Sequence, residues 1–281
     1  MMMDGDYSYE NKDVLIKIEN VSLSFGDTLI LKPTSAEVRD IVRPGICQGQ
    51  VIGILGRSGI GKTQFSNILA GIQEPTTGKV TVKGGKPIEA GVVGMVAQNY
   101  PLLMHRTILG NLLIALEKSG LSKKDREAKA MQSLRDFGLE DKAKFYPCQL
   151  SGGQRQRVAI AQELLCSEHF IVMDEPFTGL DPLSKDIVCE LIAKVSSMHE
   201  ENTIFVVAHD IAALVQIADH LWLFGRSYKK ESGDDVKPTP GATIVETYDL
   251  IARGLAWKPD IAKSREFTDT VNEIKDRFGA T

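Results

Sequence analysis

Residues 51–63 read VIGILGRSGIGKT, an apolar run broken by a glycine-rich turn that closes on Lys-Thr. The last eight, Gly56 to Thr63, fit the pattern G-x-x-x-x-G-K-[ST]. They stand between a run with strand character and one with helical spacing, Phe65, Ile68, Leu69 and Ile72. That setting gives each position a physical use. The backbone N–H groups of Gly56, Ser58, Gly59, Ile60 and Gly61 can curl around phosphate oxygens, because glycine permits both the turn and the close approach. A helix N-terminus behind them adds a favourable dipole. Lys62 supplies a point charge for the β- and γ-phosphates, and the Thr63 hydroxyl can ligate Mg2+. The stretch predicts strand, phosphate-binding loop and helix in that order, built for a nucleoside triphosphate such as ATP.

On either side of this stretch the chain alternates strand with helix. Short apolar runs at 170–173, 204–208 and 221–224 are flanked by polar or turn residues, as strands buried on both faces of a parallel sheet are. Further strands are expected from Val14 (VLIKIENVSLSF) and at 51–55, 79–83 and 92–97. Leu183, Ile187, Leu191 and Val195 recur every four residues and predict a helix with an apolar stripe. The alternation defines an α/β domain, placed at 14–226 behind a flexible start at 1–13. A helical insert of about 105–165 breaks the pattern. It carries helices around 107–117 and from 123 to Phe137, with Gly138 as the stop. Residues 227–281 read as a C-terminal extension: a polar loop or hairpin at 227–241, then a helix whose Phe267, Val271, Ile274 and Phe278 dock onto the same core.

The run Phe170-Ile171-Val172-Met173 ends in two adjacent carboxylates, Asp174 and Glu175. Neighbours on a strand point to different sides, so the two acids can do two jobs. Asp174 is placed to hold Mg2+ through its water shell and Glu175 to polarise an attacking water. Upstream, Leu150-Ser151-Gly152-Gly153-Gln154 precedes the helical pattern RQRVAIAQELL. Gln98 follows the strand VVGMVA, Gly179-Leu180-Asp181-Pro182 follows the carboxylates, and His209 follows IFVVA. This ordered set, from about Val14 to Phe224, resembles the ABC ATPases, of which LSGGQ is the signature.

The resemblance implies a P-loop fold with a mostly parallel core sheet, an N-terminal antiparallel β part and an inserted helical subdomain. It implies that Ser151, Gly152, Gly153 and Gln154 of one subunit close over the γ-phosphate held by the P-loop of a second copy, in a head-to-tail homodimer. Gln98 would touch Mg2+ and the lytic water and sense a transmembrane partner. His209 would hydrogen-bond the γ-phosphate, Asp181 would sit at the subunit interface, and Phe25 would stack on adenine. ATP hydrolysis would then drive permease subunits supplied by a substrate-binding protein, with this chain peripheral on the cytoplasmic face of the cell membrane. The stretches Phe145-Tyr146-Pro147-Cys148-Gln149 and MDEPFTGLDP look more like bacterial importers than exporters, and residues 248–278 resemble the nitrate, sulfonate and taurine importer group. Two departures stand out: the hairpin region 31–50 is longer than in most relatives, and Ala97 precedes Gln98 where an aromatic is common. The rival readings are a lipid or drug exporter cassette and a soluble ABC ATPase of DNA repair or translation. The latter usually carry coiled coils, zinc modules or a second cassette, none of which the sequence displays.

Composition bounds these readings. With 281 residues, 43% hydrophobic and 25% charged, the chain has material for an ordinary core. A net charge of -4 and a pI near 5.8 argue against a nucleic-acid partner. No run approaches the ~18 apolar residues of a membrane-spanning helix, so work at a membrane requires docking on a partner that spans it. Cys47, Cys148, Cys166 and Cys189 match no paired zinc or disulfide spacing and are expected as small buried hydrophobes in a reducing compartment.

Overall fold

A computed structural model describes residues 9–279 apart from 44–45, 99, 168, 231–235 and 259. Strands β1 (Glu10–Phe25) and β2 (Thr28–Val42) form a long antiparallel hairpin. The chain then enters β3 (Gln50–Gly56), the loop, and helix α1 (Lys62–Leu69), before β4 (Thr77–Val82) and β5 (Lys86–Pro87) complete the antiparallel sheet in the order β2-β1-β4-β5. Strand β6 (Val93–Val96) leads to the helical insert, α2 (Ile108–Ala115), α3 (Lys123–Asp136) and α4 (Gly152–Cys166). After it come β7 (Phe170–Asp174), α5 (Pro182–Ser196), β8 (Thr203–Ala208), α6 (Ile211–Ile217) and β9 (His220–Gly225). A small hairpin, β10 (Tyr228–Lys230) and β11 (Val236–Pro238), precedes β12 (Thr243–Asp249) and α7 (Arg265–Gly279).

The core sheet has six strands in the order β12-β9-β3-β8-β7-β6, parallel except for β12. Its central strands β3, β8, β7 and β9 are largely apolar because both faces are covered. Leu55, Ile171, Met173, Ile204, Val206 and Leu223 join one buried cluster with the insert and α5 to α7. Their neighbours Ile54, Val172, Phe205, Val207 and Phe224 join the other, with Phe65, Ile68 and Leu69 of α1 and the antiparallel sheet. The strict alternation is the period-two geometry of a strand with a hydrophobic layer on each side. Local signals close the insert helices. Thr107 and Ser122 accept N-cap bonds from the backbone of Gly110 and Asp125, and Gly138 ends its helix with φ near +65°.

Four sequence expectations are corrected here. First, the extension 227–281 holds more than a loop or hairpin and a terminal helix: β12 pairs along β9, with Val245 packing on one core layer and Ile244 on the other, so the extension adds an edge strand to the core sheet. Second, Glu10 and Asn11 already pair with Val42 and Ile41, so the frayed start does not extend to 13; residues 1–8 lie outside the described residues. Third, Leu183 and Ile187 are 76% and 62% exposed, and the buried face of α5 is Val188, Cys189, Leu191, Ile192 and Val195. Ile72 likewise falls beyond the end of α1, past Gly71 at φ +68°, and is exposed. Fourth, Cys189 alone of the four cysteines is buried, because Cys47, Cys148 and Cys166 fall outside the buried strand and helix faces. The docking of α7 is as expected, through buried Phe267, Val271 and Ile274. Ile274→Ala should cost about 2–5 kcal/mol of stability, read from the midpoint of denaturant unfolding.

Asp219 caps the base of the sheet and is fully buried; its Oδ2 accepts the backbone N–H of Val51 at 2.6 Å. Burial pushes its carboxyl up to about 7. The folded chain therefore binds a proton that the unfolded chain has released between about pH 4 and 7, so this group lowers stability as pH rises through that window. Asp219→Asn can still accept the Val51 bond. Its unfolding midpoint relative to wild type should rise steadily from pH 4 to pH 8; a difference that is flat with pH would show that Asp219 does not titrate there.

Candidate nucleotide-binding site

The site lies at the C-terminal ends of the parallel strands, where ligands bind in sheets of this kind. Residue 56 must be glycine, because a Cβ there would sit 2.8 Å from the Phe224 carbonyl oxygen. Gly59 and Gly61 take φ values of +78° and +109°, conformations that side chains other than glycine rarely adopt. Gly61 is also the N-cap of α1, with no side-chain cap hydrogen bond, so the first N–H groups of the helix have no capping side chain and border the loop. A phosphate is the natural partner of such a terminus.

Lys62 is buried, with its Nζ 2.7 Å from the Gly56 carbonyl, 3.2 Å from that of Arg57 and 3.4 Å from Glu175 Oε1. The adjacent Thr63 donates its hydroxyl to Asp174 Oδ2 at 3.0 Å. Asp174 Oδ1 is buried and has no hydrogen-bond partner among the described residues. Burial, helped by the Glu175 charge and opposed by the Thr63 hydroxyl and Lys62, raises the Asp174 carboxyl above the usual carboxylate range. A buried carboxylate with one orphan oxygen beside a hydroxyl fits a hard divalent cation that takes oxygen ligands.

Glu175 is held at φ +52°, an uncommon conformation for a residue with a side chain, and its N–H bonds the Val207 carbonyl at 2.7 Å. Its Oε2 lies 2.7 Å from His209 Nδ1 and accepts the Thr178 hydroxyl at 3.1 Å. The register explains the meeting of Glu175 and His209. Asp174 pairs with Val207 on β8, so the residues just beyond both strand ends emerge side by side. Thr178 was not anticipated from the sequence; its signal was a hydroxyl three positions after the carboxylate within the turn Pro176–Leu180.

The remaining sequence-predicted residues take other places. Gln98 is exposed two residues beyond Val96, which pairs with Met173, so its backbone stands near the level of Glu175; the structure gives it no contact with that group. Phe25 is 54% exposed at the tip of the β1–β2 hairpin. That hairpin overhangs the loop, for a Cβ on Gly61 would touch Leu31 and Ile30 at 3.1 and 3.2 Å. Asp181 caps α5, accepting the Ser184 N–H at 3.1 Å and its hydroxyl at 2.5 Å, and those bonds lower its carboxyl. Ser151 caps α4 in a capping box with Gln154: the serine oxygen accepts the Gln154 N–H, and the Gln154 side chain accepts the Ser151 N–H. Gly152 and Gly153 follow on the first turn, and a Cβ at either would meet nothing within 4 Å. The structure thus joins Lys62, Thr63, Asp174, Glu175 and His209 into one group, while Phe25, Gln98, Ser151 and Asp181 stand outside it.

A parallel core sheet, a Gly-rich cradle on a helix N-terminus, a buried lysine and a Thr–Asp pair define a P-loop nucleotide-binding protein. The ABC transporter family matches residues 41–178. The aliphatic sulfonates import ATP-binding protein of Shouchella clausii is 33% identical over 262 residues, covering 93% of this chain and 90% of that protein. The glycine betaine/proline betaine transport system ATP-binding protein of Escherichia coli is 30% identical over 213 residues, covering 72% of this chain and 53% of that longer protein. In fold, the chain matches the structure of cbiO1 from Clostridium perfringens, part of the ABC transporter complex cbiONQ, with a TM-score of 0.71 over 96% of this chain and 98% of that one, at 21% identity. The chain belongs to the ATP-binding subunits of the ABC transporter family, and is an ATPase of that kind.

Proposed function

We propose that the chain hydrolyses Mg-ATP as one half of a head-to-tail homodimer, and that this powers import of a small solute through permease subunits served by a substrate-binding protein. It would work from the cytoplasmic face of the membrane; among the described residues no helix is long and apolar enough to cross one. The observation that carries the dimer is the open face at Gly152 and Gly153. Neither glycine is required by its own φ, and neither is crowded by its own chain. A second molecule that approaches closely gives them a reason, and the N-terminus of α4 that they form suits a phosphate held by the partner's P-loop. Import is supported by the sulfonate and betaine relatives, whose names describe import or transport of small solutes.

In this reading Thr63 and Asp174 hold the Mg2+, which when bound neutralises charge on the phosphates. Lys62 leaves the Gly56 and Arg57 carbonyls for the phosphate oxygens, and the loop N–H groups bind the rest. Glu175 takes a proton from the attacking water, His209 bonds the γ-phosphate, and Gln98 reaches the lytic water from the edge of the sheet. Phe25 receives the adenine, Ser151 and Gln154 present α4 to the opposite nucleotide, and Asp181 lies along the subunit interface. Residues 100–110 would carry the motion of the insert to the permease; residue 99 of that stretch lies outside the described residues.

Gly153→Asp tests the dimer. A Cβ at 153 meets nothing within 4 Å, so folding and ATP binding by one copy should persist, yet a carboxylate would face the partner's phosphate. Turnover should fall at least about tenfold, since like charges placed together cost several kcal/mol. Turnover at the wild-type level would remove the head-to-tail arrangement.

A further inference from the structure

At the opposite end of the core sheet from the nucleotide loop, three residues with metal-binding side chains converge. We propose that His169, His199 and Glu201 form a binding site for a divalent transition metal ion of the zinc class. His169 stands immediately before β7, and Glu201 and Asn202 stand immediately before β8; the His169 carbonyl accepts the Thr203 N–H at 2.8 Å, which fixes the two strand starts together. His199 is on the turn that follows α5. Asp174, at the far end of β7, lies five residues along the extended chain from His169, roughly 15 Å away, so the cluster is no part of the nucleotide site.

One ligand atom from each residue can be chosen so that all three lie within 4.8 Å of one another. His169 Nε2 is 3.6 Å from Glu201 Oε2. Two ligands on a tetrahedral zinc, each about 2.1 Å from the ion, are separated by about 3.4 Å, so this pair already has the right span. The outer contacts are those a metal site needs. His169 Nδ1 lies 3.3 Å from the side-chain oxygen of Asn202, which orients the ring with Nδ1–H outward and Nε2 free. Asn202 is itself buried and anchored, its Nδ2 donating to the Val195 carbonyl at 2.8 Å. Glu201 turns its other oxygen, Oε1, to Lys83 Nζ at 2.5 Å, which leaves Oε2 for the ion. His199 completes the set once its ring gives up the Glu201 N–H that its Nδ1 accepts at 3.2 Å, which frees a ring nitrogen for the ion; it is exposed, and its ring stacks on His169 with centroids 4.2 Å apart. Entry is open, because His169, Glu201 and Lys83 line a cleft of about 590 Å³ between the antiparallel sheet and the β6 edge of the core. Two imidazoles and one carboxylate favour zinc, cobalt or nickel over magnesium or calcium, and the open cleft leaves the fourth position to water.

The test uses the full chain, stripped with a chelator and free of nucleotide, titrated with Co2+ and then Zn2+. Wild type should take up one Zn2+ per chain at this site and give the visible absorption of a low-symmetry Co2+ centre that Zn2+ removes. His199→Ala, an exposed change on a turn, should weaken Zn2+ binding by more than the about 10–100-fold typical of losing an outer-shell partner, and abolish the Co2+ bands. Lys83→Met, which removes the outer-shell partner that orients Glu201, should weaken binding by no more than that about 10–100-fold and keep the Co2+ bands. The proposal is overturned if wild type takes up no stoichiometric Zn2+, or if His199→Ala and His169→Ala bind Zn2+ as wild type does.

Discussion

Glu175→Gln is expected to lower ATP turnover by about 10²–10⁴-fold, the worth of a positioned general base, while ATP binding stays within a few-fold of wild type. The substitution is close to isosteric, so it isolates the proton-accepting role. Glutamine at 175 can keep the backbone bond to Val207 and can still accept the Thr178 hydroxyl, but it cannot take a proton from water. The geometry around Glu175 argues that this residue was placed for chemistry. Its backbone sits at φ +52°, where a side chain carries strain, and its carboxylate is shared by His209, Thr178 and Lys62. Strain of this kind persists when the surroundings enforce it, and active sites are where it collects. A structural role predicts otherwise: if Glu175 only neutralised Lys62, the neutral amide would weaken folding and leave turnover per folded molecule near wild type. Single-turnover hydrolysis alongside titration with a fluorescent ATP analogue separates the two, and turnover within about threefold of wild type would reject Glu175 as the base.

The phosphate-binding loop was legible in the sequence because its chemistry is local. Gly59 and Gly61 are dictated by their own backbone φ, and Lys62 and Thr63 follow at fixed spacing, whereas the need for glycine at 56 comes from the distant Phe224 carbonyl. The buried strands were legible because a strand covered on both faces is apolar at nearly every position, as β3 and β8 are after their first residues Gln50 and Thr203. What failed depended on distant partners. The stripe Leu183, Ile187, Leu191 and Val195 has a period of four, which drifts about 40° around a helix at each step. Only its last two members reach the face that the core covers, while the first two point to solvent. Strand β12 was hidden because an edge strand beside β9 has mixed burial and lacks the continuous apolar run of the central strands. The approach of His169 to His199 and Glu201 was invisible for the same reason, since about thirty residues and α5 separate them and only the pairing of β7 with β8 closes the gap. The grouping of Asp174, Glu175 and His209 was readable only as an ordered set of motifs. Their contact rests on the Asp174–Val207 register, which no local pattern in the chain encodes.

Lys62→Ala should act on binding where Glu175→Gln acts on turnover, lowering affinity for ATP by about 10–100-fold. One hydrogen bond from a charged group is worth about 1.5–3 kcal/mol, and each 1.4 kcal/mol is a factor of ten in affinity. Without nucleotide the buried ammonium is satisfied by the Gly56 and Arg57 carbonyls and by Glu175, a set it can exchange for phosphate oxygens without becoming unpaired. Alanine removes the donor and leaves Glu175 with one cation fewer, so the loop presents less positive charge to an incoming triphosphate. The α1 N-terminus and the loop N–H groups remain, which is why binding is expected to weaken and not vanish. Titration of both variants with the same fluorescent analogue makes the pair decisive. If Lys62→Ala binds ATP as tightly as wild type, the glycine-rich turn does not cradle phosphate, and the roles given to Thr63, Asp174 and Glu175 lose the anchor that brings a reacting phosphate within their reach.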